Sequence, residues 1–266
     1  MNIFKHELKA NLKPFIFWTI GLFVLVFAGM TKYTGLKEGG EAVDQMLAAF
    51  PRILKAMLGM VDINVTKLSG YYAVLMYYAL ICIAIYAISL GANAVGGEAV
   101  DKTYEFLFTK PCSRSHVLGM KLCAGLVYLL SFGILSYVFS LSSIAALQLD
   151  VNISEVILSF NLSLVLVGVL FFFMSAMLVA LIKHTEKGFL YGNLIFVAMF
   201  ILGILYDMLE NAEALRLFTP LRYFTSAEIL DQKSNPTFIV LSFVLSIIFA
   251  VVTFLVFKKK DLQASN

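Results

Sequence analysis

Six long apolar runs dominate the chain: Phe15 to Met30, Tyr71 to Val95, Leu122 to Leu147, Val156 to Ile182, Phe189 to Tyr206 and Thr237 to Phe257. Crossing a hydrocarbon core about 30 Å thick takes about 20 helical residues at ~1.5 Å each, so each run predicts a transmembrane helix. The first is short and is expected to extend toward Tyr33. Pro14 stands where that helix would start, a position at which its missing N–H costs nothing. No Asp, Glu, Lys, Arg or His lies well inside any run. The expected fold is an all-α membrane protein, a single transmembrane domain over residues 1–266 with spans near 15–33, 71–95, 122–147, 156–182, 189–206 and 237–257.

The segments between the runs carry patterns of their own. Phe4, Leu8 and Leu12 recur every four residues, with Lys5, Lys9 and Lys13 one position further round. This predicts a basic amphipathic helix over residues 1–14 lying along the inner membrane surface, its lysines toward anionic headgroups. An ordinary first turn running into the span fits the same spacing. A cleavable signal peptide is disfavoured because the leading segment is long and contains Glu7. Between Thr31 and Gly70, Val43, Met46, Leu47, Phe50, Ile53 and Leu54 fall at helical spacing broken by Pro51, which predicts two short interfacial helices. About ten residues around Gln148 to Glu155 join the third and fourth spans, so these should be antiparallel neighbours. Residues 207–236 are too apolar for a free loop and too short to span twice. A broken helix pair dipping into the outer leaflet and a plain interfacial helix both fit. The segment Gly96 to Lys121 differs from all of these, holding Glu98, Asp101, Lys102, Glu105, Lys110, Arg114 and Lys121 between two apolar runs.

Composition agrees with the pattern: 61% of the 266 residues are hydrophobic and 14% charged, outside the range of soluble domains. A net charge of +3 does not suggest nucleic-acid binding, so the distribution of charge is what matters. With the N-terminus inside, the inner segments hold twelve Lys and Arg and six Asp and Glu, against eight and eleven outside. The positive-inside rule then puts both termini in the cytoplasm, closed by Lys258-Lys259-Lys260.

Several chemistries lack their residues. No Gly-Lys dipeptide occurs, so no phosphate-cradling loop is present and ATP, if used, must be bound by another chain. His6, His116 and His184 are scattered, no HExxH occurs, and Cys82, Cys112 and Cys123 show no metal-ligand spacing. With no carboxylate inside a span, an ion-driven transporter is disfavoured. The polar content of the spans is small or hydroxylic: Ser136, Ser140 and Ser143 share a face of the third, and Tyr86 and Asn93 lie in the second with the small pair Ala87 and Gly91. These could line a weakly polar pathway, but plain helix packing explains them at least as well.

The central loop carries the specific signal. Glu98, Thr103-Tyr104-Glu105, Leu107, Pro111-Cys112-Ser113-Arg114 and Lys121 resemble the cytoplasmic loop of type-2 ABC exporter permeases. There an acidic residue, a Thr-x-Glu, a Pro-x-Ser-Arg and a Lys follow the second span at this spacing. Lys102, where a Gly is common, and Cys112, where a small aliphatic is usual, depart from the pattern. The resemblance implies a permease that binds no cofactor itself, pairs with a second copy or a paralogue, and docks two cytoplasmic ATPase subunits that hold ATP and Mg. It implies export of an amphipathic or hydrophobic substrate across a bacterial cell membrane. Gly96-Gly97 would end the second span, Glu98 to Phe108 would form a coupling helix that Lys110-Pro111 stops, and Ser113 would cap the next helix. The contact surface would comprise Glu98, Asp101, Thr103, Tyr104, Glu105, Phe108, Pro111, Ser113 and Arg114. An alternative is a non-transporting immunity, scaffold or sensory component that docks an ATPase.

Overall fold

The computed structural model describes residues 3–100, 113–149, 153–183, 187–209, 212–233 and 235–259, and among them all regular structure is helical. A short α1 (Ile3–Ala10) precedes α2 (Leu12–Glu38), α3 (Gly40–Ala48), α4 (Arg52–Leu58) and α5 (Leu68–Val100). Then come α6 (Arg114–Ala146), α7 (Ser154–Leu181), α8 (Gly188–Met208), α9 (Glu213–Arg216), a 3-10 turn Pro220–Arg222, α10 (Ser226–Leu230) and α11 (Pro236–Lys259). Six of them, α2, α5, α6, α7, α8 and α11, are long and apolar enough to cross a membrane.

The centre of the bundle is the pair α5 and α7. Hydrophobic transfer cannot hold two such helices together, because the competing lipid tails are as apolar as leucine; close packing and interhelical hydrogen bonds must do it. The sequence supplies both. A Cβ on Gly91 would lie 2.2 Å from the carbonyl oxygen of Phe172, so only glycine lets the two backbones approach this closely. One turn away, the Ser175 hydroxyl donates to the carbonyl of Ile88 at 2.8 Å. The small pair Ala87 and Gly91 is therefore packing, on the helix face that meets α7.

Around this centre α6 and α11 pack on α7, and α2 leans on α5 and α6. On α11 the polar side chains Ser242, Ser246 and Thr253 are buried and bond back to the carbonyls of Phe238, Ser242 and Phe249, so none opens a polar gap in the seam. The opposite faces are apolar and open: Phe17 and Ile20 on α2, Leu194 and Ile201 on α8, Phe243 and Ile247 on α11. In water such faces would aggregate; they suit a lipid surrounding.

Two boundaries differ from the sequence expectation. The apolar span closes at Gly97, as expected, but the helix does not stop there: α5 continues to Val100. Glycine costs about 1 kcal/mol in a helix interior, a weak bias that tertiary packing overrides; Gly96 is buried and Gly97 half-buried. The first span also runs on to Glu38, well past its apolar part. The hydroxyl of Tyr71 donates to the Gly29 carbonyl at 2.9 Å and that of Tyr33 to the Thr66 carbonyl at 3.2 Å, tying the end of α2 to the start of α5.

Candidate functional site

Among the described residues three polar constructions interrupt the apolar bundle, one at the end where α1 lies and two toward the other end.

The first lies beside the central loop. Ser113 is the N-cap of α6, its hydroxyl accepting from the His116 N–H at 3.3 Å, the capping role expected from the sequence. Arg114 follows in the first turn, half-buried. One face of α6 then carries Lys121, whose side chain is 5% exposed and whose ammonium lies 3.7 Å from the Glu7 carboxylate of α1. Two turns on, the Tyr128 hydroxyl donates to the carbonyl of Leu8, and its ring packs tilted against Phe15 with centroids 4.8 Å apart. Helix α1 is thus fastened to α6, the helix that leads out of the loop. Asp101, Thr103, Tyr104, Glu105, Phe108 and Pro111 lie outside the described residues, as does the side chain of Glu98.

The second joins the first turns of α5 and α7 to the last turns of α6. Tyr72 of α5 donates its hydroxyl to Ser140 of α6 at 2.9 Å and accepts from the amide of Asn161 of α7 at 3.2 Å. Ser140 bonds in turn to the Ser136 carbonyl, and Ser143 to that of Ser140. All three serines are completely buried; Ser140 joins α6 to α5, Ser143 bonds within its own helix, and none of them lines the two cavities at the far end of the bundle. Tyr86 is also buried, its ring 6.0 Å from Trp18 and 5.9 Å from Phe132, whereas Asn93 is exposed. The five residues considered for a pathway are not brought together. Asn161 and Tyr72 escaped sequence reasoning; a lone Asn in an apolar run was the available signal, since its amide must find partners there.

The third caps the end of the bundle remote from α1, where the pieces 212–233 fold back over α5 and α7. Pro220 and the short lengths of α9 and α10 break the segment into pieces, and each piece is pinned by an arginine. Arg216 is 3% exposed. It grips Glu228 with both arms of its guanidinium, at 2.7 and 2.5 Å, and donates to the carbonyls of Arg222 and Tyr223 at 2.9 and 3.1 Å. Its remaining face lies 4.1 Å over the Phe238 ring of α11. Burial works against its charge, yet the bonds and charge of Glu228 hold its pKa above the ordinary arginine value, so it stays a cation. Burial pushes the neighbouring Tyr223 hydroxyl up to about 12.

Arg222, 7% exposed, reaches the other way. It pairs with Asp207 at the end of α8 at 2.5 Å, donates to the Ala56 carbonyl of α4 and the Tyr77 hydroxyl of α5 at 3.4 Å each, and lies 5.0 Å over the Tyr77 ring. Arg52 adds a second tie, its Nε donating to the Asp207 carbonyl at 2.8 Å. Gly59 makes this convergence possible: it closes α4 at φ 71° in the left-handed region, and any Cβ there would lie 2.4 Å from Tyr77. The arginines were missed in the sequence. Two of them six residues apart in an apolar stretch flanked by Asp207 and Glu228 were the signal, because a buried guanidinium calls for a carboxylate.

Among the described residues no cluster of His, Cys, Asp or Glu could hold a metal ion. A comparison with curated proteins finds no match to this chain. The family described as ABC-2 family transporter protein does match, over residues 1–262. Six apolar helices of spanning length and a match over nearly the whole sequence agree: this membrane protein belongs to the ABC-2 transporter family.

Proposed function

We propose that the chain is the permease subunit of an ATP-driven exporter, moving an amphipathic or hydrophobic substrate out of the cell at the expense of ATP hydrolysed by separate subunits. The family match over residues 1–262 carries the proposal. The absence of any Gly-Lys phosphate loop in the sequence supports placing ATP and Mg on partner chains. Two cytoplasmic ATPase subunits and a second permease, identical or paralogous, complete the assembly. The open apolar faces of α2, α8 and α11 leave room for lipid and for that second permease. Both termini are cytoplasmic in a bacterial cell membrane, following the excess of Lys and Arg on the inner segments.

In this scheme the loop from Glu98 to Arg114 docks in the ATPase, and closure of the ATPase moves α5 and α6. The fastening of α1 to α6 through Glu7–Lys121 and Leu8–Tyr128 would carry that motion to the N-terminal helix. Co-purification with a co-expressed ATPase tests the docking. Glu105→Lys, or deletion of residues 98–114, should abolish it while leaving membrane insertion intact; retention in both variants would rule the loop out. Single cysteines at Gly40, Lys110, Asn152, Glu186 and Thr225, placed in a background without Cys82, Cys112 and Cys123, test the topology. Labelling at Lys110 from outside intact cells would overturn it.

A further inference from the structure

Beneath the arginine-pinned cap lies a cavity of about 500 Å³, bounded by α4 and the turn after it, α5, α7, the end of α8 and residues 212–227. Its size is that of a drug-sized ligand site. One wall is apolar and aromatic, formed by Met76 and Leu80 of α5, Phe160 of α7, and Leu221 and Phe224 of the cap. The polar side is charged. Arg52, Arg222, Asp62, Asp207 and Glu213 all line it, two cations against three anions.

The internal bonds decide which charge is left for a ligand. Arg222 and Asp207 neutralise each other at 2.5 Å, and Arg222 is further engaged by Ala56 and Tyr77. Arg52 turns its Nε to the Asp207 carbonyl. What remains is Asp62 and Glu213, both exposed at the rim, against the single Arg52, a surplus of one negative charge. Ser163 adds lone pairs, 4% exposed with its proton spent on the Phe160 carbonyl, while the Tyr77 hydroxyl, 7% exposed, already accepts from Arg222. Tyr206, Phe160 and Phe224 supply aromatic rings, whose electron-rich faces attract cations. An anionic head would find the buried guanidinium already matched and two carboxylates at the mouth.

We infer that this cavity binds an amphipath with an ammonium head, the amine between Asp62 and Glu213 and the apolar body against Met76, Leu80, Phe160 and Phe224. The inference deepens the exporter proposal by naming a cargo class, yet it stands on binding alone, which needs neither ATPase nor flux. The same chemistry comes from a free lipophilic amine or from the head of an ethanolamine lipid.

Titration of dansylcadaverine, a fluorescent primary amine, into the full-length protein in phosphatidylglycerol nanodiscs, with empty nanodiscs subtracted, tests it. Saturable binding is expected, weakened by Asp62→Asn and by Glu213→Gln about 1.5–5-fold each, as for exposed charge pairs, and unaffected by Asp231→Asn, an exposed acid outside the cavity. The N-acetylated, neutral probe should bind at least about 10-fold more weakly, for a charge-assisted contact of the usual strength. Equal binding of the neutral probe, or unchanged affinity in both rim variants, overturns the inference. Phosphatidylethanolamine in the nanodiscs separates the two sources: competition assigns the site to the lipid head and its absence to a free amine, and both uphold ammonium recognition. Loss of ATPase co-purification with binding intact would strike the exporter proposal and leave the site standing.

Discussion

Replacing Glu228 by Gln tests whether the cap is held by its buried ion pair or merely decorated by it. The substitution keeps size and shape, but it removes the charge opposite the guanidinium of an arginine side chain that is 4% exposed and puts an NH2 group against one of its arms. Removing one partner of a fully buried pair costs about 3–5 kcal/mol, because the remaining charge is left uncompensated. Here Glu228 itself is 27% exposed, and Arg216 keeps two backbone carbonyls and the Phe238 ring. The expected loss is therefore nearer about 2–4 kcal/mol. For a chain of this size that is a fall of about 5–15 °C in the melting temperature. The measurement is thermal unfolding of the purified protein in a fixed detergent, with the exposed Glu213→Gln as control. Arg216→Met combined with Glu228→Leu should recover part of the loss, since an apolar pair of similar volume leaves no unpaired charge. A Glu228→Gln protein melting within about 2 °C of the parent, less than 1 kcal/mol of change, would refute the assignment.

Two further substitutions probe the bundle. Gly91→Ala must push α5 away from the Phe172 carbonyl and should cost at least about 1–3 kcal/mol as overpacking, whereas Gly21→Ala, which meets open space, should be neutral or stabilising by about 0.5–1 kcal/mol; parallel melting curves compare them. Tyr72→Phe removes the hydroxyl that joins Ser140 to Asn161 and should cost about 0.5–2 kcal/mol, the range for hydrogen bonds between membrane helices; an unchanged melting curve would mean that the three side chains contribute packing alone.

The six spans were legible because length and apolarity are one-dimensional properties, and Pro51 marked the break between α3 and α4 for the same reason. Ser113 was legible as a cap because capping is local to three residues. The apolar span was legible to Gly97, but the helix outlasts it to Val100, because glycine's cost in a helix is a weak bias and does not fix where the helix stops. The cap was illegible for a related reason. Arg222 meets Ala56 and Tyr77 across 166 and 145 residues, and no pattern within a segment announces such a meeting. Ser136, Ser140 and Ser143 showed their shared face in the sequence; whether that face met a pathway or another helix depended on Tyr72, 68 residues before Ser140.

The fastening of α1 to α6 sets an order on biosynthesis. The Leu8 carbonyl meets a hydroxyl that lies 120 residues downstream. At a synthesis rate of about 5–20 residues per second, Tyr128 follows Leu8 by about 6–24 s. During that interval α2 and α5 can already be inserted, while α1 has neither Tyr128 nor Lys121 to rest on. The first helix to be made is therefore among the later ones to be seated, and the N-terminus gains its place only once the chain has passed through the central loop.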